Sequence, residues 1–131
     1  MTGVKTLTNK IPGFRTSLNN KSKSVIQLAN HVKGPPVNRA PIILSQLKQN
    51  LAEVETAFKK LMNVVDEILN IVVEDDDQTT FTHYTSYRET VSKEFESTRL
   101  EVVLTIALIE TVNATISWFS LIENRGRALA I

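Results

Sequence analysis

The side chains able to act as acids, bases or metal ligands are few and scattered. His31 and His83 are the only histidines, and neither has a carboxylate at a spacing that would orient an imidazole as a general base. Glu74, Asp75, Asp76 and Asp77 form a run of carboxylates that could attract a cation. An EF-hand, however, alternates its ligands and adds a glycine and a distal glutamate, which this run lacks. The absence of cysteine excludes thiol catalysis, iron–sulfur clusters and cysteine-ligated zinc. No nucleophile elbow, phosphate-binding glycine loop or His-Glu-x-x-His motif occurs. The chain is expected to be no enzyme and to need neither metal nor cofactor.

With no reaction to support, the informative residues are the apolar ones. Leu44, Leu47, Leu51, Val54, Phe58, Leu61, Val65, Ile68 and Val72 recur at alternating intervals of three and four. Side chains so spaced fall on one stripe of a slightly underwound helix and need long helical partners to cover them. Between Pro41 and Gly126 there is no glycine or proline, which favours long helices. A first helix is expected over 13–33, with Phe14, Leu18, Val25, Leu28, Ala29 and Val32 on one face, capped by Gly34 and stopped by Pro35 and Pro36. A second fits 39–73, with Asn38 as N-cap and Pro41 in its first turn. The acidic run suits the turn before a third helix, where carboxylates favour the positive end of its dipole. The expected fold is all-α: one domain over residues 1–131, an elongated three-helix bundle on a long antiparallel hairpin, with residues 1–12 as a flexible basic arm. A break near 96–99 would make four helices.

Charge divides the chain unevenly. Residues 1–40 carry seven basic residues and no acidic one, whereas the remainder has eight basic and fourteen acidic. The basic segment can dock on the acidic body of its own or a neighbouring chain, or meet an anionic partner through Lys5, Lys10, Arg15, Lys21, Lys23 and Lys33. Docking is favoured, because Phe14 is the only aromatic residue among these charges and no nucleic-acid-binding signature is present. The first residues lack the apolar core of a signal peptide, so an intracellular location, cytoplasmic or nuclear, is expected.

The tract at 102–122 is long and apolar enough to suggest a membrane span. Glu110, Asn113, Ser117, Ser120 and Asn124 nevertheless gather within an arc of about 80° at 100° per residue, leaving a wide apolar arc suited to burial between helices. Glu110 near mid-bilayer would cost a few kcal/mol, so insertion is not expected. Asn113, Ala114 and Thr115 spell a glycosylation sequon, but its place inside an apolar helix argues against use. A hairpin with the second helix would pair residues 80–114 and leave 115–125 overhanging. The overhang carries Ile116, Trp118, Phe119, Leu121 and Ile122, to be covered by helix one, by a break that folds the chain back, or by a second protein molecule. Self-association is expected through the apolar surface at 103–122, with Leu104, Leu108, Trp118, Leu121 and Ile122 as candidate residues and the chain itself or another helical protein as partner.

The order of a basic first helix after LTNK at 7–10, a proline-containing linker, a heptad helix, an acidic turn and a helix opening FTHYTSYRETV at 81–91 resembles the N-terminal Gag-like region of animal BEL/Pao retrotransposons. The resemblance covers most of the chain and implies a helical assembly module, with no catalytic motif and no zinc knuckle. The expected function is protein–protein interaction and self-association; the alternative is a nucleic-acid-associated helical protein using its basic N-terminal third.

Overall fold

The structure is a computed structural model that describes residues 3–34, 37 and 40–130, with side chains described as far as residue 126. The fold is all-α. It consists of α1 (Val4–Lys33), α2 (Pro41–Glu74) and α3 (Gln78–Ala130), with no strand among the described residues.

α1 starts nine residues earlier than the sequence suggests, so residues 4–12, expected to be a flexible arm, are its first turns. Pro12 lies inside this helix, where it removes one backbone hydrogen bond at a cost of about 3 kcal/mol. Packing on both sides of it offsets that cost. Leu7 is fully buried, Val4, Ile11 and Phe14 pack against the core, and the Tyr84 hydroxyl reaches Thr8 Oγ1 at 3.3 Å. Leu18, Val25, Ala29 and Val32 continue the buried face. Gly34 caps the helix in an extended conformation, φ −60° and ψ 143°, rather than the left-handed one that glycine usually supplies.

α2 opens with Pro41 as its first helical residue, where the missing N–H would be unbonded in any case. The expected N-cap, Asn38, lies outside the described residues. Seven of the nine seam positions are buried, while Leu44 and Phe58 are partly so. Ala57, Met62 and Val64 are buried as well. Such broad burial follows from α2 having a neighbour on each of two sides.

Three residues join α2 to α3. Asp76 takes a left-handed conformation, φ 55°. The Asp77 N–H donates to the Val72 carbonyl at 3.0 Å and the Asp76 N–H to that of Val73 at 3.3 Å, the bond pattern of a Schellman motif. Asp77 also caps α3, accepting from the Thr80 N–H at 3.1 Å and the Thr80 hydroxyl at 2.6 Å. These bonds, led by the hydroxyl, lower the Asp77 pKa below its ordinary value. The acidic run thus closes one helix and starts the next.

α3 runs unbroken for 53 residues, so the break considered at 96–99 does not occur. Phe95 and Val102, seven residues apart on one face, are both buried across that stretch, and Arg99 Nε donates to Glu96 Oε2 at 3.1 Å along it. Moving away from the turn, α2 meets α3 at Asp66–Arg88 (2.8 Å), at the Phe58–Phe95 stack (4.1 Å between centroids, 5° between planes) and at Lys48–Glu110 (3.1 Å). α1 meets α3 through ion pairs from Arg15 to Glu94 and from Lys33 to Glu101.

Tyr87 carries the one buried side-chain polar atom, its hydroxyl, that has no hydrogen-bond partner among the described residues. Burial raises its pKa, against the opposing charge of Arg15. Tyr87→Phe removes this unsatisfied hydroxyl, so urea denaturation should show stability unchanged or raised by about 1 kcal/mol. The Asp77 cap makes a second prediction, with its sign set by the depressed pKa. The stability advantage of the native chain over Asp77→Ala should be fully present above about pH 4 and shrink as pH falls through the lowered Asp77 value, read from urea melts at stepped pH.

Candidate functional site: the uncovered face of α3

At 1.5 Å per residue α3 extends about 80 Å, against about 50 Å for α2. Its neighbours run out before it does. Val102, Thr105 and Ile109 are buried, the Thr105 hydroxyl donating to the Glu101 carbonyl at 2.9 Å within the helix. Among the described residues Ile109 is the last that is buried, Val112 and Asn113 are half-buried, and every described side chain from 114 to 126 is exposed.

The five residues expected to form a self-association surface are all exposed: Leu104 by 58%, Leu108 by 38%, Trp118 by 59%, Leu121 by 53% and Ile122 by 44%. Leu100, Val103, Ile116 and Phe119 are exposed with them. These residues divide between two faces. Ile116 continues the line of Val102 and Ile109 and is uncovered only because the neighbouring helices have ended. Leu100, Leu104, Leu108, Thr111, Thr115, Trp118 and Ile122 instead follow intervals of four, four, three, four, three and four.

That second series is another heptad-like seam, about 33 Å long, on a face that α1 and α2 do not cover. Val103, Phe119 and Leu121 widen it, and the Trp118 and Phe119 rings meet edge to face at 5.7 Å. The spacing is legible in the sequence, but two threonines interrupt it and the surrounding tract is apolar nearly all round. Only the structure separates the face that is used from the face that is free.

The basic residues do not form one surface. At 100° per residue α1 places Lys10 and Lys21 on one face, Lys5 and Lys23 on a second, and Arg15 and Lys33 on a third. Arg15 and Lys33 are the two whose ion pairs bind α1 to α3. Lys5, Lys10, Lys21 and Lys23 are exposed.

The histidines are exposed too, and among the described residues no three His, Cys, Asp or Glu side chains are grouped to hold a metal ion. Glu110 is exposed and pairs with Lys48. One 18-residue window of α3 has a mean hydropathy of 1.6 with 17% of it buried, so the helix is long and apolar enough to cross a membrane. No protein-family model, curated protein or solved structure matches the chain.

The two faces of α3 make opposite predictions for stability. Leu104→Glu changes an exposed side chain and should alter unfolding free energy at low protein concentration by no more than about 0.5 kcal/mol. Ile109→Glu buries an unpaired charge and should cost more than about 4 kcal/mol. Urea denaturation followed by circular dichroism distinguishes them.

Proposed function

We propose that the chain is a non-enzymatic, intracellular helical interaction module that self-associates through the exposed seam of α3, from Leu100 to Ile122. Its three helices form an elongated bundle built on an antiparallel α2–α3 hairpin, and its organisation is that of a Gag-like, retroelement-derived assembly domain. One observation carries the reading: a heptad-spaced apolar face about 33 Å long is covered by neither α1 nor α2. A second copy supplies a face of the same length and spacing. Trp118 is of a residue type enriched among interface anchors, and Leu104 and Leu108 are of the type that fills helix–helix seams.

The nucleic-acid alternative has less support, because the six candidate phosphate contacts lie on three faces of α1 and two of them are spent on Glu94 and Glu101. A membrane partner would use the same α3 tract but must also accommodate Glu110 and Lys48, which lie beside it.

Light scattering on detergent-free protein tests the reading. A dimer or larger species that persists at high salt is expected, and Trp118→Glu or Leu104→Glu should weaken it by about 2 kcal/mol or more, roughly thirtyfold in Kd. A folded native chain that stays monomeric at high concentration, or an oligomer indifferent to both substitutions, would overturn it. Lys21→Glu combined with Lys23→Glu should leave the mass unchanged. A steep loss of RNA affinity with salt in the native chain, abolished by that pair, would support the nucleic-acid reading instead.

A further inference from the structure

The α1–α2 side of the molecule holds a feature independent of the α3 seam. Lys10, Gly13, Ser17 and Lys21 of α1 face Thr56, Ala57 and Lys60 of α2 across a cleft of about 460 Å³. That volume falls within the roughly 300–1,000 Å³ of small-molecule sites. No α3 residue lines it.

Three features set the chemistry of an occupant. First, Lys10, Lys21 and Lys60 line the cleft, no carboxylate lines it, and among the described residues none of the three is in an ion pair. Arg15 and Lys33 of the same helix are neutralised by α3, so the unpaired charge on this face is a local property. Second, the floor is apolar: Ala57 is buried, Phe14 is half-buried, and Gly13 leaves the middle open, since a Cβ built there meets nothing within 4 Å. Third, the ends differ. Lys21 also borders a smaller recess that Glu53 lines, whereas Lys10 and Lys60 have no carboxylate among the cleft's lining.

We propose that this cleft binds a small organic phosphate, its anionic head between Lys10 and Lys60 and its apolar chain lying over Gly13, Phe14 and Ala57. Lysines suit a phosphate as mobile point charges, and the Ser17 hydroxyl can turn to donate a further bond. The Thr56 hydroxyl already donates to the Ala52 carbonyl at 3.0 Å, so it has no donor left for the phosphate and serves only as wall.

The test is titration of the isotope-labelled full chain with hexyl phosphate, followed by amide NMR. Saturable shifts centred on Gly13, Ser17 and Ala57 are expected, with much weaker responses to inorganic phosphate and to hexanol. Lys10→Gln combined with Lys60→Gln should weaken binding at least about tenfold, whereas Lys5→Gln combined with Lys23→Gln, which removes equal charge from another face, should not. Gly13→Leu fills the cleft with a better helix former, so binding should fall while the melting temperature holds or rises.

Equal losses from both lysine pairs, or inorganic phosphate binding as tightly as the hexyl ester, would overturn the assignment. So would RNA shifting amides along all of α1 while hexyl phosphate shifts none. Vesicles of phosphatidylcholine with phosphatidic acid separate the two sources of the ligand. Co-sedimentation abolished by the Lys10 and Lys60 changes identifies a lipid headgroup. Hexyl phosphate binding without such co-sedimentation identifies a free ester.

Discussion

A helix buried along its whole length must be matched by helices that reach as far, and α2 governs this molecule through that requirement. Its seam is covered by α1 and α3, and its burial extends beyond the seam to Ala57, Met62 and Val64 because two neighbours cover two sides. α3 is subject to no matching limit. It has 53 residues where α2 has 34, so its buried face ends at Ile109 and the remainder leaves the core with apolar residues exposed. The functional reading follows from that mismatch combined with the second seam. Ile116 shows what lack of a neighbour does to a core-facing residue. Leu104 and Trp118 belong to a face that the core never used.

Electrostatics assists this arrangement more than it drives it. The ion pairs that connect the helices are substantially exposed, and exposed pairs contribute at most about 1 kcal/mol each. Their value lies in register. Arg15 and Lys33 share a face of α1 beside its buried stripe of Leu7, Leu18, Val25, Ala29 and Val32, and meet Glu94 and Glu101, seven residues apart on α3. The lysines left over then have defined places: Lys10 and Lys21 over the α1–α2 cleft, Lys5 and Lys23 on a separate face. An excess of basic charge that reads in the sequence as one arm is spread over three faces of α1, one of them paired with α3.

Much of the fold was legible because hydrophobic spacing is a direct statement about faces. The α2 seam, the buried positions of α1 from Leu18 to Val32 and the acidic turn before α3 could all be read from residue intervals. The start of α1 could not, since Pro12 carries a strong local signal for a boundary and only long-range packing of Leu7 and the Tyr84 contact with Thr8 overrides it. The continuity of α3 was likewise open, as Glu96, Ser97, Thr98 and Arg99 interrupt the apolar pattern while Phe95 and Val102 on either side remain in register. The exposed tract was legible in composition, but its division into a used and a free face depends on which side of α3 the other two helices pack. The α1–α2 cleft was not legible at all. Gly13 and Lys60 are distant in sequence and become meaningful only as neighbours.

Trp118 is the only tryptophan in the chain, which makes it a reporter placed inside the surface at issue. Sedimentation equilibrium of the native chain, with tryptophan emission recorded on the same samples across a concentration series, addresses the central claim most directly. Self-association through the α3 seam requires mass and a blue shift of Trp118 emission to rise together with concentration. A mass that rises while Trp118 keeps the emission of a water-exposed indole, or a monomer at every concentration, would contradict it.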